Sequence, residues 1–146
     1  MAAVETFFSK TEQERIVAAI KAAEKETSGE IRVHIDKRCK GDVMDMAAFV
    51  FEKLEMHKTE LRNGVLIYLA VKDKKFAILG DVGINKVVPE NFWEEVKAGM
   101  LEEFKKGDFT NGLVKAIGMA GEKLKTYFPY QKDDINELAD EISFGK

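Results

Sequence analysis

The sequence predicts an α/β protein, a three-layer α/β/α sandwich around a small mixed sheet with a parallel crossover and an antiparallel hairpin. Three observations carry that class. Ile31, Val33 and Ile35 alternate with Glu30, Arg32, His34 and Asp36, the period of a strand with one face more apolar than the other. Gly64 to Val71 is apolar almost throughout, as expected of a strand covered on both faces. Amphipathic helical stripes flank and separate these strands, which is the order of a layered α/β domain.

The elements follow in chain order. Ser9-Lys10-Thr11-Glu12-Gln13-Glu14 holds two overlapping capping boxes, Ser9 with Glu12 and Thr11 with Glu14, and either would start a helix. Ile16, Ala19, Ile20 and Ala23 share its inner face, and Thr27-Ser28-Gly29 ends it. The strand Glu30 to Asp36 comes next, then a basic loop from Lys37 to Gly41. Val43, Ala47, Val50, Phe51 and Leu54 form a second helical stripe, with Asp42 as its cap. Val65 to Leu79 reads as a hairpin broken at Lys72-Asp73-Lys74 and closed by Gly80-Asp81-Val82-Gly83. Pro89 suits a helix start, and Phe92, Val96, Met100 and Phe104 repeat every fourth residue up to Gly107. Phe109, Leu113, Ile117, Ala120, Leu124 and Phe128 make the last stripe, ended by Pro129. One domain is expected over residues 7–129. An acidic C-terminal tail follows over 130–146, with a short helix around Asp134 to Glu141 or a mobile end.

Composition narrows the function. A chain of 146 residues can bury one full core without a metal or disulfide. The net charge of −3 argues against a nucleic-acid binder and against an anionic membrane surface. The single cysteine, Cys39, excludes an internal disulfide. Met1 to Lys10 does not read as a secretory signal, and the longest apolar run is too short to span a bilayer. A cytoplasmic location is the simplest expectation.

The topology brings polar residues together. If the strands starting at Glu30 and Gly64 are parallel, their starts share one sheet edge, and the hairpin's second strand ends there too. Three loops then meet: Thr27-Ser28-Gly29-Glu30, Arg62-Asn63-Gly64 and Gly80-Asp81-Val82-Gly83, with Asn85 nearby. They offer two carboxylates, one amide, one guanidinium and two hydroxyls. Carboxylate and amide oxygens suit a hard cation such as calcium or magnesium, and an arginine suits a phosphate or carboxylate. Turn chemistry alone also accounts for Asn63-Gly64 and Gly80-Asp81, and Arg62 can equally pair with Glu30 or Asp81 to close the loops.

The same residues resemble the TPM domain family. Glu24-Lys25-Glu26-Thr27-Ser28-Gly29-Glu30-Ile31-Arg32-Val33, then Arg62-Asn63-Gly64-Val65-Leu66-Ile67, then Gly80-Asp81-Val82-Gly83-Ile84 occur in that family's order, over about Phe7 to Pro129. The resemblance implies an α/β/α sandwich and, for some members, divalent-cation-dependent acid phosphatase activity with calcium at the acidic edge. Other members look like assembly or repair factors. This chain is similar to a shorter cytosolic branch. Carried over, the resemblance makes Glu30, Asp81 and Asn63 metal ligands and Asp81 and Arg62 catalytic. Thr27, Ser28, Gly80, Gly83 and Asn85 complete the binding edge. The implied chemistry is phosphomonoester hydrolysis, the cation activating a water and Arg62 clamping the phosphate. A phosphorylated small molecule or a protein is the expected partner. A non-catalytic interaction or cation-binding module is the alternative, and the residues themselves, with no evident base or nucleophile, lean toward binding.

Other residues read as structural. Cys39 between Arg38 and Lys40 is expected at or near the surface. His34 and His57 lack metal-ligand spacing. Lys72 to Lys75 fits a hairpin turn, and Trp93 beside Phe92 fits helix packing.

Overall fold

The computed structural model describes residues 7–131 and 137–145. Helix α1 (Lys10–Glu24) starts at Ser9, whose hydroxyl accepts from the Glu12 amide while Glu12 reaches back to the Ser9 amide. Of the two overlapping boxes the first is used. Strand β1 (Glu30–Asp36), helix α2 (Val43–Lys53), strand β2 (Gly64–Ala70) and strand β3 (Lys75–Gly80) follow. Then come a single turn α3 (Val82–Asn85), helices α4 (Glu94–Lys105) and α5 (Phe109–Leu124), and a short strand β4 (Ser143–Phe144).

The sheet order is β3-β2-β1-β4. β1 and β2 are parallel, as the helical crossover predicts, and β2 and β3 form the antiparallel hairpin. Alternation along β1 and β2 sorts their side chains to the two faces of the sheet. Ile31, Val33 and Ile35 join Val65, Ile67 and Leu69 under α1, α4 and α5. Leu66, Tyr68 and Ala70 face the other way, against Ala47, Val50 and Phe51 of α2. The result is the expected mixed α/β sandwich. Each fully buried aliphatic side chain, such as Ile16, Ile20 or Leu113, contributes roughly 1.5–3 kcal/mol of transfer free energy.

Three elements depart from expectation. The helix placed at Pro89 begins at Glu94, because Pro89 to Trp93 close as tight turns, Phe92 N–H to Pro89 O and Glu94 N–H to Asn91 O. Phe92 sets those turns by packing edge-on against Trp93 and Tyr127. The turn α3 was not expected, and Asp81 caps it by accepting from the Val82 amide. The helix expected around 134–141 is not formed over its described part, 137–141, and residues 134–136 lie outside the described residues. Ser143-Phe144 instead pairs in parallel with His34-Ile35 of β1.

Layer geometry explains that last outcome. Among the described helices only α2 packs on the second face, and it lies over β2 and β3. α2 leaves most of the row Glu30, Arg32, His34 and Asp36 on β1 uncovered, with only its Lys53 acting on Asp36. The chain from Glu137 to Gly145 covers that row instead, with Leu138 packing on the second core.

Candidate functional site

The strand register brings the three predicted loops together. Glu30 lies opposite Gly64, and Val65 opposite Gly80. Backbone bonds tie the loops: Glu30 N–H to Asn63 O at 3.1 Å, Asp81 N–H to Gly64 O at 2.9 Å and Gly83 N–H to Arg62 O at 3.0 Å. Gly83 is required at this crossing, since a Cβ there would stand 2.1 Å from Leu61 O and 2.6 Å from Arg62 O.

Arg62 and Asp81 form a bidentate pair. Nε donates to Oδ2 at 2.8 Å and Nη2 to Oδ1 at 2.9 Å. Asp81 Oδ1 also accepts from the Val82 amide at 2.7 Å. The carboxylate is buried while the Arg62 side chain is 45% exposed, so the pair presents its cationic partner to solvent. Arg62 holds this pose with a left-handed backbone, φ 52°, a strained conformation for a residue with a side chain.

Glu30 is engaged elsewhere. Its Oε1 accepts from the amides of Glu137 and Leu138, both at 2.7 Å. Burial pushes its carboxyl up to about 7, against the pull of those two donors, and the Glu137 carboxylate adds to the rise. Glu24 is pushed up to about 8 by burial, with a hydrogen bond and repulsion from Asp140 reinforcing it. Asn63 bridges the loops through Nδ2 to Ser28 O at 3.1 Å. Its Oδ1 is buried without a donor.

Thr27 and Ser28 fasten the edge to the end of α5. The Thr27 hydroxyl donates to Phe128 O and accepts from the Gly29 amide. The Ser28 amide also donates to Phe128 O, at 2.9 Å. Asn85 donates to Gly80 O at 3.1 Å.

A cavity of about 490 Å³ opens beside the ion pair. Phe51, Glu52, His57, Arg62, Asp81 and Asn85 line it. His57 and Glu52 are titratable groups that sequence reasoning did not place here. Their one signal is position: they lie at the end of α2 and in the connection that delivers Arg62.

The donors at the edge are hard oxygens, and the orphaned Asn63 Oδ1 is what a hard cation would satisfy. Asp81 enters such a set only by loosening its bond to Arg62. Among the described residues no three carboxylate, histidine or cysteine side chains are grouped so as to hold a metal.

Residues 3–123 match the TPM domain. The chain belongs to the TPM domain family. This TPM domain is similar to the BA42 protein of the psychrophilic bacterium Bizionia argentinensis, whose NMR structure shares 51% identity at a TM-score of 0.92, over 99% of this chain and 100% of that one. It also resembles in fold an N-terminal domain from Corynebacterium glutamicum (14% identity, TM-score 0.65, 80% of this chain and 74% of that one). An N-terminal domain from P. gingivalis is alike to the same degree (15%, 0.68, 83% and 78%). No curated protein matches the sequence. Among the described residues no helix of the TPM domain is long and apolar enough to cross a membrane.

A second polar chain lies along the far half of β1. Ser143 Oγ and His34 Nδ1 are 2.8 Å apart, His34 Nε2 and Asp36 Oδ1 are 2.8 Å apart, and the Tyr68 hydroxyl donates to Asp36 Oδ2 at 2.6 Å. Burial would raise the Asp36 carboxyl, but the His34 and Tyr68 bonds bring it below its ordinary value. His34 is thus a satisfied buried histidine, stacked on Tyr68. Cys39, expected near the surface, is buried in the second core.

Proposed function

We propose that this TPM domain is a divalent-cation-binding module, taking calcium or magnesium at the edge where β1 and β2 begin. The buried, donorless Asn63 Oδ1 carries the reading. An unsatisfied buried amide oxygen costs roughly 1–3 kcal/mol, and a hard cation would remove that cost. Glu30, whose loop is bonded to Asn63, would supply a carboxylate. Asp81 would join once Arg62 lets go.

The test is thermal. A ligand that prefers the folded state raises stability, by about 2.7 kcal/mol at one hundred times its Kd. Millimolar calcium or magnesium should raise the melting temperature of the purified chain, and less so with Asn63→Leu. No shift with either ion would reject the reading.

The finer reading is phosphomonoester hydrolysis at acid pH, and the cavity beside Arg62 favours it. Arg62 would bind phosphate oxygens through the N–H groups not turned to Asp81. His57 would carry the proton to the leaving oxygen, since it lines the same cavity as Arg62. A bound cation would polarise the phosphoryl oxygen. Turnover of p-nitrophenyl phosphate should drop at least about tenfold in His57→Ala, and fall also in Arg62→Ala, Asp81→Asn and Glu30→Gln. Unchanged turnover in all four would place any hydrolysis away from this edge and leave the edge a binding module.

A further inference from the structure

The segment Glu137 to Gly145 holds on to the domain in an uneven way. None of its residues is buried. Polar bonds attach it instead at two ends, with a hydrogen bond joining Glu24 and Asp140 between them. At one end the Glu30 carboxylate grips the Glu137 and Leu138 amides, and Glu137 Oε2 accepts from the Glu60 amide at 3.1 Å. At the other end Ser143 meets His34, and the Gly145 amide donates to Ile35 O at 2.8 Å. Between them Leu138, Ile142 and Phe144 rest on the two cores with part of each side chain in solvent. A segment with few buried apolar contacts opens at much lower cost than the whole fold.

Its grip falls on Glu30, the same carboxylate that the cation reading requires. We propose that Glu137–Gly145 is a detachable strap that competes with the cation for Glu30, so that releasing the strap opens the site and filling the site releases the strap. This rests on the cation reading of the edge. The order Ser143, His34, Asp36 is that of a nucleophile, base and orienting carboxylate. Here the alignment serves as the far clasp of the strap, because Ser143 belongs to the segment being held.

Gly145 offers a wedge. A Cβ on it would stand 1.7 Å from Asp36 Oδ1 and 3.5 Å from His34 Nε2. Gly145→Ala therefore pushes the far end off β1 without touching Glu30. Ser143→Ala removes only the hydroxyl clasp and leaves room for the strap to stay.

The experiment is amide hydrogen exchange by NMR on the full chain, with calcium titration of the same samples. In the parent chain the Glu137, Leu138 and Gly145 amides should exchange well before those of β2. Gly145→Ala should speed Glu137 and Leu138 at least about tenfold, Ser143→Ala less, with β2 unchanged, and Gly145→Ala should tighten calcium. Coupling is reciprocal, so calcium added to the parent chain should speed the same two amides. Strap amides that exchange only with β2 would overturn the strap. Faster strap exchange with unchanged or weaker calcium affinity would overturn the competition. If neither form binds calcium, the cation reading itself falls and the gating falls with it, while the exchange data still decide whether the strap detaches.

Discussion

Arg62 and Asp81 meet through two parallel N–H···O bonds, of 2.8 and 2.9 Å, that join the start of β2 to the end of β3. Asp81 is the buried partner and Arg62 the exposed one. Arg62→Ala leaves a buried carboxylate with the Val82 amide as its remaining described donor. That should destabilise the chain, because a buried acceptor is left short of donors, with the loss moderated by solvent already screening the guanidinium. Arg62→Gly should cost about 0.5–1 kcal/mol less than Arg62→Ala, since glycine adopts the positive φ without strain. Urea unfolding of the two variants checks the order. A glycine variant no more stable than the alanine one would remove backbone strain from the account.

Asp81→Ala should cost no more than Arg62→Ala, because it removes the buried charge itself and leaves only the exposed partner behind. It takes away the cap of α3, worth about 1 kcal/mol, and leaves the paired N–H groups of Arg62 to solvent. The same unfolding series measures it.

The meeting of Glu30, Gly64 and Gly80 was legible in the sequence because strand period and crossover topology fix where strands start. Which pairs form there was not. Arg62 could reach either carboxylate on paper, and its choice of Asp81 depends on a left-handed backbone at Arg62 itself. The cover on Glu30 was hidden for a different reason. Ser143-Phe144 is too short to carry a period, and its place follows from α2 leaving most of the polar row of β1 bare. His57 was missed because nothing in a lone histidine after a helix says which cavity it will line.

Gly83 and Gly118 make a paired test of where glycine is required. Gly83→Ala would drive a Cβ into two carbonyl oxygens of the Leu61-Arg62 backbone. That backbone also receives the Gly83 N–H, so neither side can yield cheaply, and a loss of about 1–3 kcal/mol is expected. A Cβ at Gly118, exposed on α5, meets nothing within 4 Å. Gly118→Ala should gain about 0.5–1 kcal/mol from helix propensity. Thermal unfolding should move the two variants in opposite directions. Equal effects would mean that the crossing at Gly83 yields to a Cβ without cost.

Stability depends on pH through two carboxyls that face the strap. Glu24 and Glu30 titrate at about 8 and about 7 in the folded chain, both raised from 4.5 mainly by burial. The unfolded chain releases those protons first, so the folded state is favoured while they are bound. That stability is fully present below about pH 4.5 and is lost as the pH rises through 7 and 8. Asp36 and Glu12 act in the opposite direction. Their folded values are depressed, Asp36 by the His34 and Tyr68 bonds that outweigh its burial and Glu12 chiefly by the Ser9 amide. Their contribution is lost as the pH falls through those depressed values. The urea midpoint should therefore peak in mildly acid solution and decline toward about pH 9. Glu24→Gln should flatten the alkaline limb, because the amide keeps a donor for Asp140 and has no proton to lose. Lys21 faces Glu24 and favours its ionised form, Arg32 faces Glu141, and Glu137 and Asp140 supply the repulsion. Lys21→Gln should accordingly steepen the same limb. A midpoint that holds level from about pH 5 to pH 9 in the parent chain would show that Glu24 and Glu30 ionise without cost and that the strap tolerates their charge.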